Sequence, residues 1–189
     1  YTLNYILRQN GLDPDKDVAI EYKTEAAEIA AAFQSGEAQI AMVPQPVATT
    51  IMVKNEGVRE ALDITEEWAK AQGEGANQLI TGVIVVQKEL LENTPEAVAQ
   101  FLTDYQTSIE YINHNIDDGA ALVEKYGIVP QAAIAKAAIS KCNIVYMSGD
   151  EMKENVNAYL QVLFDADPAA VGGAMPQDDF YYLPNDEKR

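Results

Sequence analysis

Ser35-Gly36-Glu37-Ala38-Gln39-Ile40-Ala41-Met42-Val43-Pro44-Gln45-Pro46 is the stretch on which the reading of this chain turns. Residues 38–43 are a near-continuous apolar run closed by a proline, the pattern of a strand buried on both faces. Upstream, residues 25–35 place Ala26, Ile29, Ala30 and Phe33 on one helical face, with Gly36 as the stop. Further upstream, Asp17-Val18-Ala19-Ile20-Glu21-Tyr22 reads as a short strand. Strand, helix, strand predicts a right-handed crossover and a parallel-rich sheet, hence an α/β fold.

Working outward, residues 46–54 read as a short helix with Pro46 in its first turn, and 59–64 as a strand leading into Thr65-Glu66-Glu67-Trp68. Residues 72–77 read as a polar loop, and 79–87, rich in Val and Ile, as the strongest strand. Beyond Thr94 the chain reads as helical, apart from a possible strand at 143–147. Thr94 and Pro95 open a helix whose stripe is Val98, Phe101, Leu102, Tyr105, Ile109 and Ile112. Residues 118–126 and 130–140 read as shorter helices. Ser148 and Glu151 fit a capping box before a stripe of Met152, Val156, Tyr159, Leu160 and Leu163. The tail Phe180-Tyr181-Tyr182-Leu183 reads as packed. At the other end, residues 1–10 read as a helix already under way, ended by Gly11 but opened by no cap, so the intact protein is expected to be larger.

Composition narrows the partners. Thirty acidic against 13 basic residues give a net charge of -17, which repels a phosphate backbone and an anionic membrane, so no nucleic-acid partner is expected. Acids such as Asp13, Asp15, Asp17, Asp117, Asp118, Asp178 and Asp179 fall in turn-like segments and read as solvated surface. Cys142, the sole cysteine, lies in an apolar run and reads as a small buried thiol rather than a nucleophile. His114, the sole histidine, reads as an exposed last-turn residue rather than a base. The sequence shows no glycine-rich phosphate loop and no clustered zinc ligands, and adjacent acids such as Glu66 and Glu67 point in different directions. No cofactor, no metal and no enzymatic activity are expected.

What remains is a site that binds without reacting. Ligand crevices of open sheets lie beyond the carboxyl ends of strands. Gln45 and Pro46 follow such a strand, and Gln45 offers both a donor and an acceptor. Two prolines also make a stiff turn with no ligand role. Trp68 is placed to stack on a flat ligand, or equally to fill a core. Gln78, Thr81 and Gly82 lie where the chain re-enters the sheet and complete the candidates.

Together with residues 35–46, the stretches Val85-Val86-Gln87-Lys88-Glu89-Leu90-Leu91 and Asn93-Thr94-Pro95-Glu96-Ala97-Val98-Ala99-Gln100-Phe101-Leu102 resemble the solute-binding proteins of ABC importers of the nitrate, sulfonate, taurine and thiamine-precursor type. The resemblance implies a periplasmic-binding-protein-like lobe with a parallel-rich sheet and C-terminal helices belonging to the other lobe. Residues 1–78 are then the second α/β lobe, and 79–189 a return strand and helices that pack on a missing first lobe. It also implies an extracytoplasmic protein, periplasmic or lipid-anchored, that captures a small polar or heteroaromatic molecule and delivers it to a membrane permease. The absent N-terminal lobe, or another chain, is expected to cover the apolar helix faces. Two other readings stay open: an enzyme of pyrimidine-precursor or chorismate-derived metabolism on the same two-lobed fold, and the effector half of a transcription regulator.

Overall fold

Helices dominate the structure, a computed structural model that describes residues 1–73 and 78–184; part of the expected 72–77 loop therefore lies outside the described residues. The elements, in chain order, are α1 (Thr2–Gln9), α2 (Ala26–Ser35), α3 (Val47–Lys54), α4 (Ile64–Gln72), α5 (Lys88–Asn93), α6 (Pro95–His114), α7 (Ile116–Lys125), α8 (Ala132–Ile139) and α9 (Gly149–Ala166), followed by 3-10 turns at Pro168–Val171 and Asp178–Phe180.

Local chemistry accounts for their ends. Gly11, at φ +78°, closes α1: its N–H donates to Arg8 O at 3.0 Å and Leu12 N–H donates to Leu7 O at 3.0 Å, the paired bonds of a Schellman motif. Gly36, also at φ +78°, ends α2, while Glu28 reaches back to accept from the N–H of Glu25 at 3.3 Å. Asp63 caps α4 by accepting from Thr65 N–H at 2.8 Å. Ser148 is the N-cap of α9 as its position suggests, but its side chain makes no capping bond.

The α/β class with a parallel-rich sheet is overturned: among the described residues there is no β-strand. The runs expected as strands, 17–22, 38–43, 59–64, 79–87 and 143–147, form no ladder. A helix closes its backbone hydrogen bonds within its own sequence, whereas a strand needs a second segment alongside. No other described residue supplies one to the backbone of 39–43 or 79–86.

The chain divides into two units, each discontinuous: residues 1–20, 62–95 and 147–189, and residues 21–61 and 96–146. Both expected ranges, 1–78 and 79–189, contribute to each. In the first unit α1 packs on α4, and α9 on the 3-10 turn that follows it. Its centre is aromatic: Trp68, 1% exposed, lies 4.9 Å from the Tyr5 ring and 5.4 Å from the Tyr159 ring. Gln72 donates to the Tyr5 hydroxyl at 2.8 Å, and the Tyr1 hydroxyl donates to Asp167 at 2.8 Å.

In the second unit α7 and α8 form the core, with Ala120, Val129, Ile134, Ala135 and Ile139 buried together and Ile112, Ile116 and Val123 packed against them. Helix α3, in which Thr49 and Ile51 are buried, packs on α8. The long α6 splits its apolar stripe: Val98 and Ile109 are buried and Leu102 and Ile112 half-buried, whereas Phe101 and Tyr105 stay exposed and stack on each other at 5.8 Å.

Candidate functional site

The Pro44-Gln45-Pro46 turn leads directly into α3, and the way it does so fixes what Gln45 has left to offer. Four backbone N–H groups at a helix start lack intrahelical partners. The Gln45 side-chain oxygen takes one of them, accepting from Thr49 N–H at 3.2 Å, and accepts from the Thr49 hydroxyl at 2.7 Å. Its acceptor is thus committed to the helix, while its amide NH2 bonds to no described residue. Gln45 is half-buried, so these two donors are the polar capacity the turn presents. Pro46 is the N-cap residue of α3, reached through a cis Gln45-Pro46 peptide bond.

The remaining candidates lie in the other unit. Trp68 is sealed between Tyr5 and Tyr159 and holds the packing of α1, α4 and α9. A ring with 1% exposure has no face left to stack on a solute. Gln78 donates its backbone N–H to the Asn155 side chain at 2.8 Å, which ties the chain to α9. Thr81 and Gly82 are exposed in the irregular run that follows. The structure therefore groups Trp68, Gln78 and Thr81 in one unit and Gln45 and Pro46 in the other.

One feature was missed at the sequence level. Thr107, Ser108, Tyr111 and Ile112 of α6, Leu122 of α7, and Tyr126 beyond it line an open apolar groove of about 590 Å³. The hydroxyls of Thr107 and Ser108 donate to carbonyls one turn back in their own helix, at 2.9 and 2.8 Å. Of these residues only Ile112 belongs to the apolar stripe expected along α6; Ser108 and Tyr111 lie outside it, and no sequence signal set them apart. A second concavity of about 520 Å³ is lined by His114, Asn115, Ile116, Asp117, Asp118 and Lys136.

Reactive groups are held quiet. Burial pushes the Cys142 thiol up, which keeps it protonated and weakly nucleophilic. The Nδ1 of His114 lies 2.7 Å from the Glu110 carbonyl oxygen at the end of α6, where it was expected. Among the described residues no group of His, Cys, Asp and Glu is arranged to hold a metal ion. No helix among them is long and apolar enough to cross a membrane.

Comparison with known proteins places this architecture in one fold. A 1.75 Å crystal structure of an ABC transporter from Parabacteroides distasonis superposes on the chain with a TM-score of 0.73 at 21% identity. The match covers 96% of this chain and 61% of that one, so the chain spans less than two thirds of the length of its structural neighbour. No family model and no curated protein matches the sequence.

Proposed function

We propose that these residues belong to the solute-binding component of an ABC importer, which captures a small polar or heteroaromatic molecule outside the cytoplasm and hands it to a membrane permease without transforming it. The observation that carries this reading is the fold likeness to the Parabacteroides distasonis ABC transporter over 96% of the chain. The resemblance of residues 35–46, 85–91 and 93–102 favours the nitrate, sulfonate, taurine and thiamine-precursor branch. A protected Cys142 and a helix-end His114 are consistent with binding rather than catalysis.

In this reading Gln45 donates its amide N–H groups to a solute oxygen or ring nitrogen, while its carbonyl stays on Thr49. Trp68, expected as a stacking platform, is part of the scaffold instead. The test is native mass spectrometry of the natural gene product, purified with no added ligand and weighed before and after denaturation. A small-molecule mass that leaves on denaturation supports the proposal and identifies the solute. Turnover of that molecule by the purified protein overturns it.

A further inference from the structure

The open groove of about 590 Å³ along α6 and α7 lies wholly in the second unit. Its walls are large and uncovered: Tyr111 is 45% exposed, Tyr126 70% and Ile128 72%. Thr107 and Ser108 add little polarity, because their hydroxyls already donate to carbonyls of their own helix. Along α6 the surface continues, since Phe101, Tyr105, Ser108 and Ile112 recur at three- and four-residue spacing and share one side of the helix. Eleven rises separate Phe101 from Ile112, roughly 16 Å or three turns. A seat of that length, walled by aromatic and aliphatic side chains, suits the apolar face of a short helix laid into it. Full burial of a side chain such as Ile128 is worth about 1.5–3 kcal/mol, so such a partner gains from each wall it covers.

Charge selects among the occupants. Helices α6 and α7 carry Glu96, Asp104, Glu110, Asp117, Asp118 and Glu124 against a single lysine, Lys125, which lies 5.4 Å from the centre of the Tyr126 ring. Asp117 pairs with Lys136, and the other five acids pair with no cation among the described residues. Glu110, Asp118 and Glu124 are exposed and adjoin the lining residues Tyr111, Gly119 and Val123 in sequence. An apolar seat on so acidic a helix pair attracts a basic partner and repels an acidic one. A second copy would bring the same acidic helices and a net charge of -17, which opposes self-pairing. We propose that the α6–α7 groove is a docking surface for a helical segment of another protein, apolar on one face and rich in lysine or arginine on the other. The proposal goes beyond the transport reading and does not depend on any solute.

Fluorescence anisotropy with the natural gene product tests it, using a labelled synthetic helix with leucine on one face and lysine on the other. Binding should weaken as ionic strength rises from about 0.05 M to about 0.5 M, because salt screens the carboxylates. Tyr126→Ala and Glu124→Lys, both at exposed positions, should each weaken it about 10-fold with the circular dichroism unchanged. A twin peptide with glutamate for lysine, and a scrambled peptide of the same composition, should not bind. Absence of binding, equal binding of the scrambled peptide, or insensitivity to both substitutions overturns the proposal. So does a Tyr126→Cys gene product whose new thiol resists maleimide until the protein is unfolded, which assigns the groove to another segment of the same product. A solution dimer that Tyr126→Ala dissociates assigns it to a second copy and overturns the proposal as well. Solute retention is read separately by native mass spectrometry, so failure here leaves the transport reading standing, and the reverse.

Discussion

Trp68 and Gln45 were placed by sequence in one category, and their surroundings put them in different ones. Trp68 closes the aromatic centre of the first unit, so Trp68→Ala should cost about 3–5 kcal/mol in urea denaturation followed by circular dichroism. Trp68→Phe should cost clearly less. A role in stacking on solute would instead change binding while leaving stability alone. Gln45 has one atom committed to structure and one free to bind. Gln45→Ala should lose about 1 kcal/mol through the uncapped Thr49 N–H, whereas Gln45→Glu keeps the acceptor and removes the donors. Near-normal stability with lost solute retention is therefore the expected signature of Gln45→Glu. At the surface, the hydrogen bond from the Lys153 ammonium, 2.8 Å away, holds the Asp178 carboxyl below its ordinary value. A depressed carboxyl contributes stability above its unfolded pKa and loses it as pH falls through the folded one. Both side chains are solvent-accessible, so that contribution is small. In an NMR titration Asp178 should titrate below the ordinary aspartate range, and Lys153→Met should return it there.

Helices were readable because their signals are local. Gly11, Gly36 and the stripe of α9 stand within a few residues of the bonds they shape, and the structure has them where the spacing indicates. Strands were not, since the same Val and Ile enrichment describes any run able to pair, and pairing is decided by what lies alongside. The short α5 over Lys88–Asn93 follows the run at 79–87 and was not anticipated. Contact between helices is likewise invisible in sequence, as Gly119 illustrates. It lies inside α7, where alanine is favoured by about 1 kcal/mol on propensity. Yet a Cβ built there meets Ile112 Cγ1 at 2.8 Å. Overpacking of that kind costs about 1–3 kcal/mol and outweighs the propensity gain. Gly119→Ala should therefore destabilise the chain by about 1 kcal/mol in chemical denaturation. Adding it to an Ile112→Ala background, where Cγ1 is gone, should be stabilising, and additivity of the two changes counts against the close approach.

At the scale of the whole molecule, charge and exposed apolar surface pull in opposite directions. A net charge of -17 at pH 7 opposes association of chains through exposed Ile40, Val83 and Val85, but it vanishes near the sequence pI of about 4.2. Light scattering should show steep self-association as pH falls toward that value, and Val85→Lys should reduce it by interrupting the longest apolar run. The division into two units, both discontinuous in sequence, could not be read from composition, because each unit is assembled from segments distant along the chain. It also gives the molecule a built-in optical marker. Its one tryptophan sits in the first unit, between two tyrosines close enough to pass excitation energy to it, while the second unit carries none. Indole emission thus reports on the first unit alone, and the helical circular dichroism on both. Whether the two signals change together on heating measures directly how far the units depend on each other for stability.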